Sequence, residues 1–369
     1  MKQLYFGVSL CILLLTGFAA FAQSGYVISG TVTDEKGHPL KSATVFLSQS
    51  QSITTSDEDG HFRFNNMDQG LYRLIVTMVG YLARTKDISL KSQSVNIKIE
   101  LKLKIVELKQ VNIGGKDHRN EDISLFKKEF LGSTDNAAGC EILNPEILNF
   151  STRNDNLYAD ADDFLIIENK RLGYRIKYLL KTFRHKIKTI NTAYNGDAVF
   201  EELPGTEAQK QEWAKNRLET YRGSMMHFFR AVFTNTTLQE GFVVYQLHGD
   251  DIDYSSDLVR FSSPASPESF VFYKFKGLYI SYNPKKAARL LKKSDNPVYV
   301  AASAKLKSLV KIPAYESKLF LFPKEAVIDA RGSVATGYFT TFLIIGDWIK
   351  KRVGDQLPFE YQPPPNTLP

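Results

Sequence analysis

Between Ile28 and Leu101 the chain repeatedly places apolar side chains at every second position, in short runs broken by turn residues, and that pattern admits few folds. Ile28, Gly30 and Val32 fall on one face of a strand, with Val27, Ser29, Thr31 and Thr33 on the other. Asp34 to Pro39 reads as a turn, since Gly37 reaches positive φ without penalty and Pro39 fixes φ before the next strand. Ala43, Val45 and Leu47 point one way from that strand; Asp57-Glu58-Asp59-Gly60 turns into Phe62 and Phe64, and Asp68 to Gly70 turns into Tyr72, Leu74, Val76 and Met78. Val95, Ile97, Ile99 and Leu101 close the series. Strands of this kind pair antiparallel into two small sheets that each bury one face, which predicts a β-sandwich.

The order G-T-V-x-D-x-x-G-x-P-L, then D-G-x-F-x-F, then G-x-Y-x-L and G-Y is carried by Gly30, Asp34, Gly37, Pro39, Asp59, Gly60, Phe62, Phe64, Gly70, Tyr72, Leu74, Gly80 and Tyr81. It resembles the carboxypeptidase regulatory-like domain, which implies a transthyretin-like (prealbumin-like) sandwich of seven strands. The resemblance implies a module and a compartment. It names no ligand.

Lys2 precedes an uncharged apolar run from Leu4 to Phe21 that ends in Ala20-Phe21-Ala22, which predicts a secretory signal peptide over 1–22. Cys11 follows Leu10, too large for a lipoprotein cleavage site, so no lipid anchor is expected. The mature chain then keeps one cysteine, Cys140, and no internal disulfide. The formal charge of +7 is spread over 47 basic and 40 acidic residues rather than held in a tail, which argues against nucleic acid as partner.

The sandwich is expected over 24–113 and a polar linker over 114–122, where Gly114-Gly115 interrupts the pattern. Leu108-Lys109-Gln110-Val111-Asn112-Ile113-Gly114 resembles the segment before the plug of sugar-importing outer-membrane transporters. The remainder lacks the length and alternation of a barrel, which excludes that class. Residues 123–369 read as one β-rich α+β domain. A hairpin is expected at Asn154-Asp155-Asn156, further strands from Phe164 to Leu203 with turns at Lys170–Gly173 and Asn195-Gly196-Asp197, and later strands over Phe242–Leu247, Phe270–Tyr282, Leu319–Phe322 and Tyr338–Ile345. Thr206-Glu207-Ala208-Gln209 forms a capping box, and Ala214, Leu218, Tyr221, Met225, Phe228 and Val232 make an apolar stripe, with Gly223 as a place to kink. A short helix is expected over Asp347–Val353. Strings at Phe130-Leu131-Gly132, Leu172-Gly173-Tyr174, Trp213 to Phe228 and Gly346 to Tyr361 resemble envelope proteins that carry the regulatory-like domain, which implies architecture and compartment alone.

For chemistry, His118-Arg119-Asn120-Glu121 has the spacing of two zinc ligands, with His227 or His248 downstream as a third. Its polar setting offers no packed groups to orient imidazoles, so His118 and Glu121 are only weak metal candidates and no cofactor is expected. Asp57, Asp59 and Gly60, and Asp160, Asp162 and Asp163, read as turns rather than calcium loops, lacking further oxygen ligands. Trp213, Arg217, Tyr221, Ser224 and His227 recur at helical spacing and form the strongest ligand-binding candidate; the plainer alternative has them joining helix to sheet. Trp348, Arg352, Asp355 and Tyr361 read as anchors of the C-terminal segment. The expectation is an exported, non-enzymatic binding or assembly protein of a bacterial envelope, in the periplasm or at the outer membrane, with an envelope protein or glycan as partner. A metallo-carboxypeptidase-like or other hydrolase, and a structural spacer, are the alternatives.

Overall fold

The computed structural model describes residues 25–104, 118–189, 191–249, 251–252, 270–273, 277–292, 315–335 and 337–365, with positions 298, 300, 303 and 306. The expected signal peptide and the transporter-like segment at 108–114 lie outside the described residues. The N-terminal part is built from β1 (Tyr26–Thr33), β2 (Thr44–Leu47), β3 (Ile53–Thr55), β4 (His61–Met67), β5 (Gly70–Thr77), β6 (Arg84–Leu90) and β7 (Val95–Glu100). They form a three-stranded sheet, β4-β1-β7, facing a four-stranded sheet, β3-β2-β5-β6. Seven strands in two sheets is the predicted sandwich. One pairing departs from the antiparallel expectation, since β1 and β7 run parallel. Ile28, Val32, Phe62, Phe64, Val45, Leu74 and Val76 fill the space between the sheets.

The two central strands of the four-stranded sheet, β2 and β5, are covered on both faces. Phe46 and Ile75 point away from the sandwich core, yet both are fully buried, packed against Leu179 and Val199 of the second half with Phe164 edge-on to Phe46 at 5.4 Å. This explains the unbroken apolar runs Val45-Phe46-Leu47 and Leu74-Ile75-Val76, since a strand covered on both sides has no solvent face to keep polar.

Leu179 and Val199 belong to a six-stranded sheet made of β8 (Cys140–Ile142), β9 (Leu148–Arg153), β10 (Asn156–Ala161), β11 (Leu165–Asn169), β12 (Tyr174–Lys186) and β13 (Asn191–Glu202). The β9–β10 hairpin turns on Asn154 and Asp155, both at positive φ, as a two-residue hairpin requires. The expected turn at Asn195-Gly196-Asp197 does not exist: β13 runs straight through it and pairs with β12, which carries a bulge between Leu180 and Thr182. Gly196 is there for close approach, because a Cβ would lie 2.3 Å from the Tyr178 ring. The seam also carries backbone bonds. Gln49 N–H donates to Ala198 O at 2.7 Å, Phe200 N–H to Ser50 O at 2.8 Å, and Phe359 N–H to Gln49 O at 2.8 Å, so the turn after β2 caps the free edge of β13.

Part of the expected linker is helical. Helix α1 (Arg119–Leu131) buries Phe126, Phe130 and Glu129 against the six-stranded sheet, and Arg119 ties its first turn to the carbonyls of Pro145, Glu146 and Leu148. Its polar first turn, Arg119-Asn120-Glu121-Asp122, hides a helix whose first fully buried side chain is Phe126. A short α2 (Asp135–Ala138) follows.

The capping box at Thr206 and Gln209 starts α3 (Glu207–Tyr221), and α4 (Met225–Phe233) follows after a break. Helix α4 is buried on nearly every side, between the six-stranded core and a five-stranded sheet of β14 (Phe242–His248), β15 (Asp251–Ile252), β17 (Leu278–Tyr282), β18 (Tyr315–Leu321) and β20 (Phe342–Gly346). Strand β16 (Phe270–Tyr273) pairs instead with β19 (Glu325–Ile328), so the strands expected over Phe270–Tyr282 serve two sheets. The segment expected as a strand from Tyr338 begins as one helical turn, Tyr338–Thr341, and the short helix expected after Asp347 is two 3-10 turns, Asp347–Lys350 and Val353–Asp355.

Candidate functional site

Trp213, Arg217, Tyr221, Ser224 and His227 do not share one helical face. Gly223 sits at φ +69, and any Cβ there would meet the Tyr282 ring at 2.7 Å, so the chain must break between α3 and α4. The inward face of α3 is polar rather than the expected apolar stripe: Trp213, Asn216, Thr220 and Tyr221 are buried, while Ala214 is exposed and Leu218 half-buried. The reason lies in the turn Lys170–Gly173 beneath it. Trp213 Nε1 donates to Lys170 O at 3.0 Å, Asn216 Nδ2 to Arg171 O at 2.9 Å, Arg217 Nε to Leu172 O at 2.8 Å, and an Arg217 terminal nitrogen to Gly173 O at 3.2 Å. The carbonyls of Lys170, Arg171 and Leu172 thus find donors on one helix, and Gly173 O, which also accepts the Leu203 amide at 3.0 Å, gains a second donor there.

The other two residues are committed as well. Ser224 Oγ accepts the His227 amide at 3.1 Å as the N-cap of α4, so the hydroxyl meets that histidine at its backbone and not its ring. The fully buried His227 imidazole accepts the Gly223 amide at Nδ1 (3.1 Å) and therefore carries its proton on Nε2, which donates to Glu240 at 2.9 Å. A nucleophile and base cannot be drawn from this pair. His118 and Glu121 contact each other at 2.9 Å on the exposed first turn of α1, and the buried His227 cannot join them. Among the described residues no group of three or more His, Cys, Asp or Glu could hold a metal ion. Asp57 accepts the amides of Asp59 and His61, as a turn does, and Asn149 Nδ2 bridges Asp160 and Asp162.

Burial holds the His227 pKa below its ordinary value, and protonation would also cancel its acceptor role toward Gly223. The unfolded chain therefore takes up the proton first. The stability this histidine contributes is complete above its unfolded pKa, about 6.5, and is lost as pH falls from there through the lowered folded value. Denaturation midpoints should fall between pH 7 and pH 5 by more in the unmodified protein than in His227→Gln, the difference being at most about 1.4 kcal/mol per pH unit. Parallel pH profiles for the two proteins would contradict this.

The site that the chain does assemble lies at the seam. A cavity of about 210 Å³ is walled by Gln49 and Leu71 to Arg73 of the sandwich, Tyr178 and Asp197 of the six-stranded sheet, Ser224 to Met226 at the α3–α4 break, and the C-terminal stretch from Lys351 to Phe359. Of the five stripe residues only Ser224 lines it. The buried Asp197 is held by Lys181 at 2.7 Å and Arg73 at 3.2 Å, one cation from each half of the chain. Arg352 reaches Glu129 at 3.1 Å, and Glu129 also accepts from Thr192, which meets His185 at 2.8 Å. Asp355 accepts from Thr134 and Asn136 at 2.8 and 2.9 Å, and burial raises its pKa. Arg352 and Asp355, read from the sequence as anchors, thus also face the cavity. No periodicity could have found it, because its walls are drawn from residues as distant as Ser48 and Phe359.

The CarboxypepD_reg-like domain family matches residues 28–113, so the N-terminal sandwich is a carboxypeptidase regulatory-like domain. No curated protein matches the chain. Solved structures similar to part of it include a streptococcal ancillary pilin (14% identity, 22% of this chain and 33% of that one, TM-score 0.20). A minor pilin of Streptococcus agalactiae is similar at 19% identity over 24% of this chain and 49% of that one, TM-score 0.21. Hydroxyquinol 1,2-dioxygenase from Pseudomonas putida DLL-E4 is similar at 10% identity over 22% and 58%, TM-score 0.19. The chain covers less than two thirds of each of these three. No helix among the described residues is long and apolar enough to cross a membrane.

Proposed function

We propose that this chain is an exported, non-enzymatic binding protein of a bacterial cell envelope, and that it takes its ligand at the seam between the regulatory-like sandwich and the second half. The observation that carries this reading is the cavity of about 210 Å³, walled by both halves, whose exposed surface is mainly apolar although polar and charged side chains are interspersed through its wall. Such a mixture fits recognition, where apolar walls supply affinity and sparse polar groups fix orientation. The side chains that sequence spacing offers for hydrolysis are otherwise engaged: Ser224 caps a helix, and both ring nitrogens of His227 are bonded.

The test is a thermal-shift screen of the protein from residue 24 onward against envelope glycans and small apolar metabolites, with peptide and ester hydrolysis measured alongside, with and without zinc. The expected result is a concentration-dependent rise in melting temperature with at least one small-molecule class and no turnover. Metal-dependent hydrolysis lost in His118→Ala would overturn it.

A further inference from the structure

We propose that the seam cavity is a site for a compact anionic amphiphile, a carboxylate on one aromatic ring or a short acyl chain, with Lys351 as the cation that receives its charged end. This rests on the seam-binding reading above and narrows it to a ligand class.

Size sets the body of the ligand. A cavity of about 150 Å³ lined by apolar side chains is known to take benzene, and pockets for drug-sized ligands start near roughly 300 Å³. At about 210 Å³ this one suits a single ring with a short arm. Leu71, Met226, Leu357 and Phe359 give that body apolar contacts from the sandwich, from α4 and from the C-terminal segment.

Charge sets its head. The wall carries five charged side chains, and four are matched by the protein itself: Arg73 and Asp197 with each other, Arg352 with Glu129, and Asp355 with Thr134 and Asn136. Lys351 is the exception. Among the described residues no carboxylate forms an ion pair with it, and its ammonium lies 4.8 Å from the centre of the Tyr315 ring. Burial holds this ammonium below the usual lysine range, with Asp355 and Asp347 drawing it partly back. A cation kept in a poorly solvated place against an aromatic face, with Asp355 and Asp347 near but neither in ion-pair contact, stands to gain from an incoming anion that does make that contact, whereas a neutral or cationic head gains nothing there. An acid is therefore preferred over an alcohol or amine of the same shape.

The experiment titrates the mature protein calorimetrically at pH 7 with 3-phenylpropionate, 3-phenylpropanol and 3-phenylpropylamine. The acid should bind about tenfold or more tightly than the alcohol, and the amine more weakly than either. Lys351→Gln should bring the acid down to the affinity of the alcohol while leaving the alcohol unchanged. Lys351→Arg should keep the preference for the acid, and Met226→Trp, which fills the cavity, should abolish binding of all three. If Lys351→Gln does not fold, the acid-to-alcohol ratio in the unmodified protein and in Lys351→Arg decides. Equal affinity for acid and alcohol, or acid binding unchanged in a folded Lys351→Gln, overturns the anionic assignment and leaves seam binding standing. No heat from any probe in the unmodified protein overturns the cavity as the site, whatever other partners the envelope screen returns.

Discussion

Replacing Asp329 by alanine is expected to cost the protein about 3–5 kcal/mol, the range for breaking a buried ion pair on one side. Asp329 is fully buried at the end of β19 and holds three things at once. It accepts the Leu71 amide of the sandwich at 2.9 Å, accepts the Arg331 and Ser333 amides of its own turn at 3.0 Å each, and pairs with the Arg331 guanidinium at 2.7 Å. Arg331 in turn donates to Leu71 O at 2.5 Å and lies 3.8 Å above the Tyr72 ring. Removing the carboxylate orphans three backbone donors and leaves a largely buried guanidinium without its ion-pair partner. Urea unfolding should show the midpoint shift with little change in slope. Asp329→Asn, which keeps an acceptor of the same shape but no charge, should fall between the two proteins. A loss under about 1 kcal/mol in Asp329→Ala would mean that this contact does not hold the halves together.

Phe46→Ala is expected to be as costly, about 3–5 kcal/mol. On a free-standing sandwich Phe46 would face water, and truncating it would change stability by no more than about 0.5 kcal/mol either way. Here it is fully buried between the sandwich and the six-stranded sheet, with Ile75, Leu179, Val199 and Phe164 around it. Deletion of the ring leaves a void at the centre of the seam. Ile75→Ala should behave in the same way, and the double variant should cost less than the sum of the two, because the side chains share one cluster. Chemical denaturation of the three variants measures this; an effect near zero for Phe46→Ala would detach the sandwich from the rest.

Much of the sandwich was legible because its signals are local. Alternation at Ile28, Gly30 and Val32, the turn at Asp57–Gly60 and the pair Phe62 and Phe64 each depend on residues a few positions apart, and the strands follow them. The docking was missed: the alternation predicts one buried face per sheet, and the apolar run Val45-Phe46-Leu47 that breaks it does not say what covers the second face. Other signals misled. Asn195-Gly196-Asp197 has turn composition, but its glycine answers to the Tyr178 ring on the neighbouring strand. The stripe from Trp213 to His227 has the spacing of a binding face, but its polar atoms answer to the carbonyls of Lys170, Arg171, Leu172 and Gly173, a demand that arises only once the chain has folded. The cavity had no local signal at all. Lys351 and Leu71 line one cavity only once the chain has folded, and no spacing within either segment encodes it.

The account stands on the two halves forming one body, with the walls of the ligand cavity complete only while they are joined. Native-state hydrogen exchange at the Gln49, Phe200 and Phe359 amides reads this directly, since each donates across the seam. The prediction is that these three exchange only with the same opening free energy as the amides of Leu74 and Val76 in the sandwich core. Exchange of the seam amides by a low-energy opening, while Leu74 and Val76 stay protected, would show two halves that part readily and would contradict it.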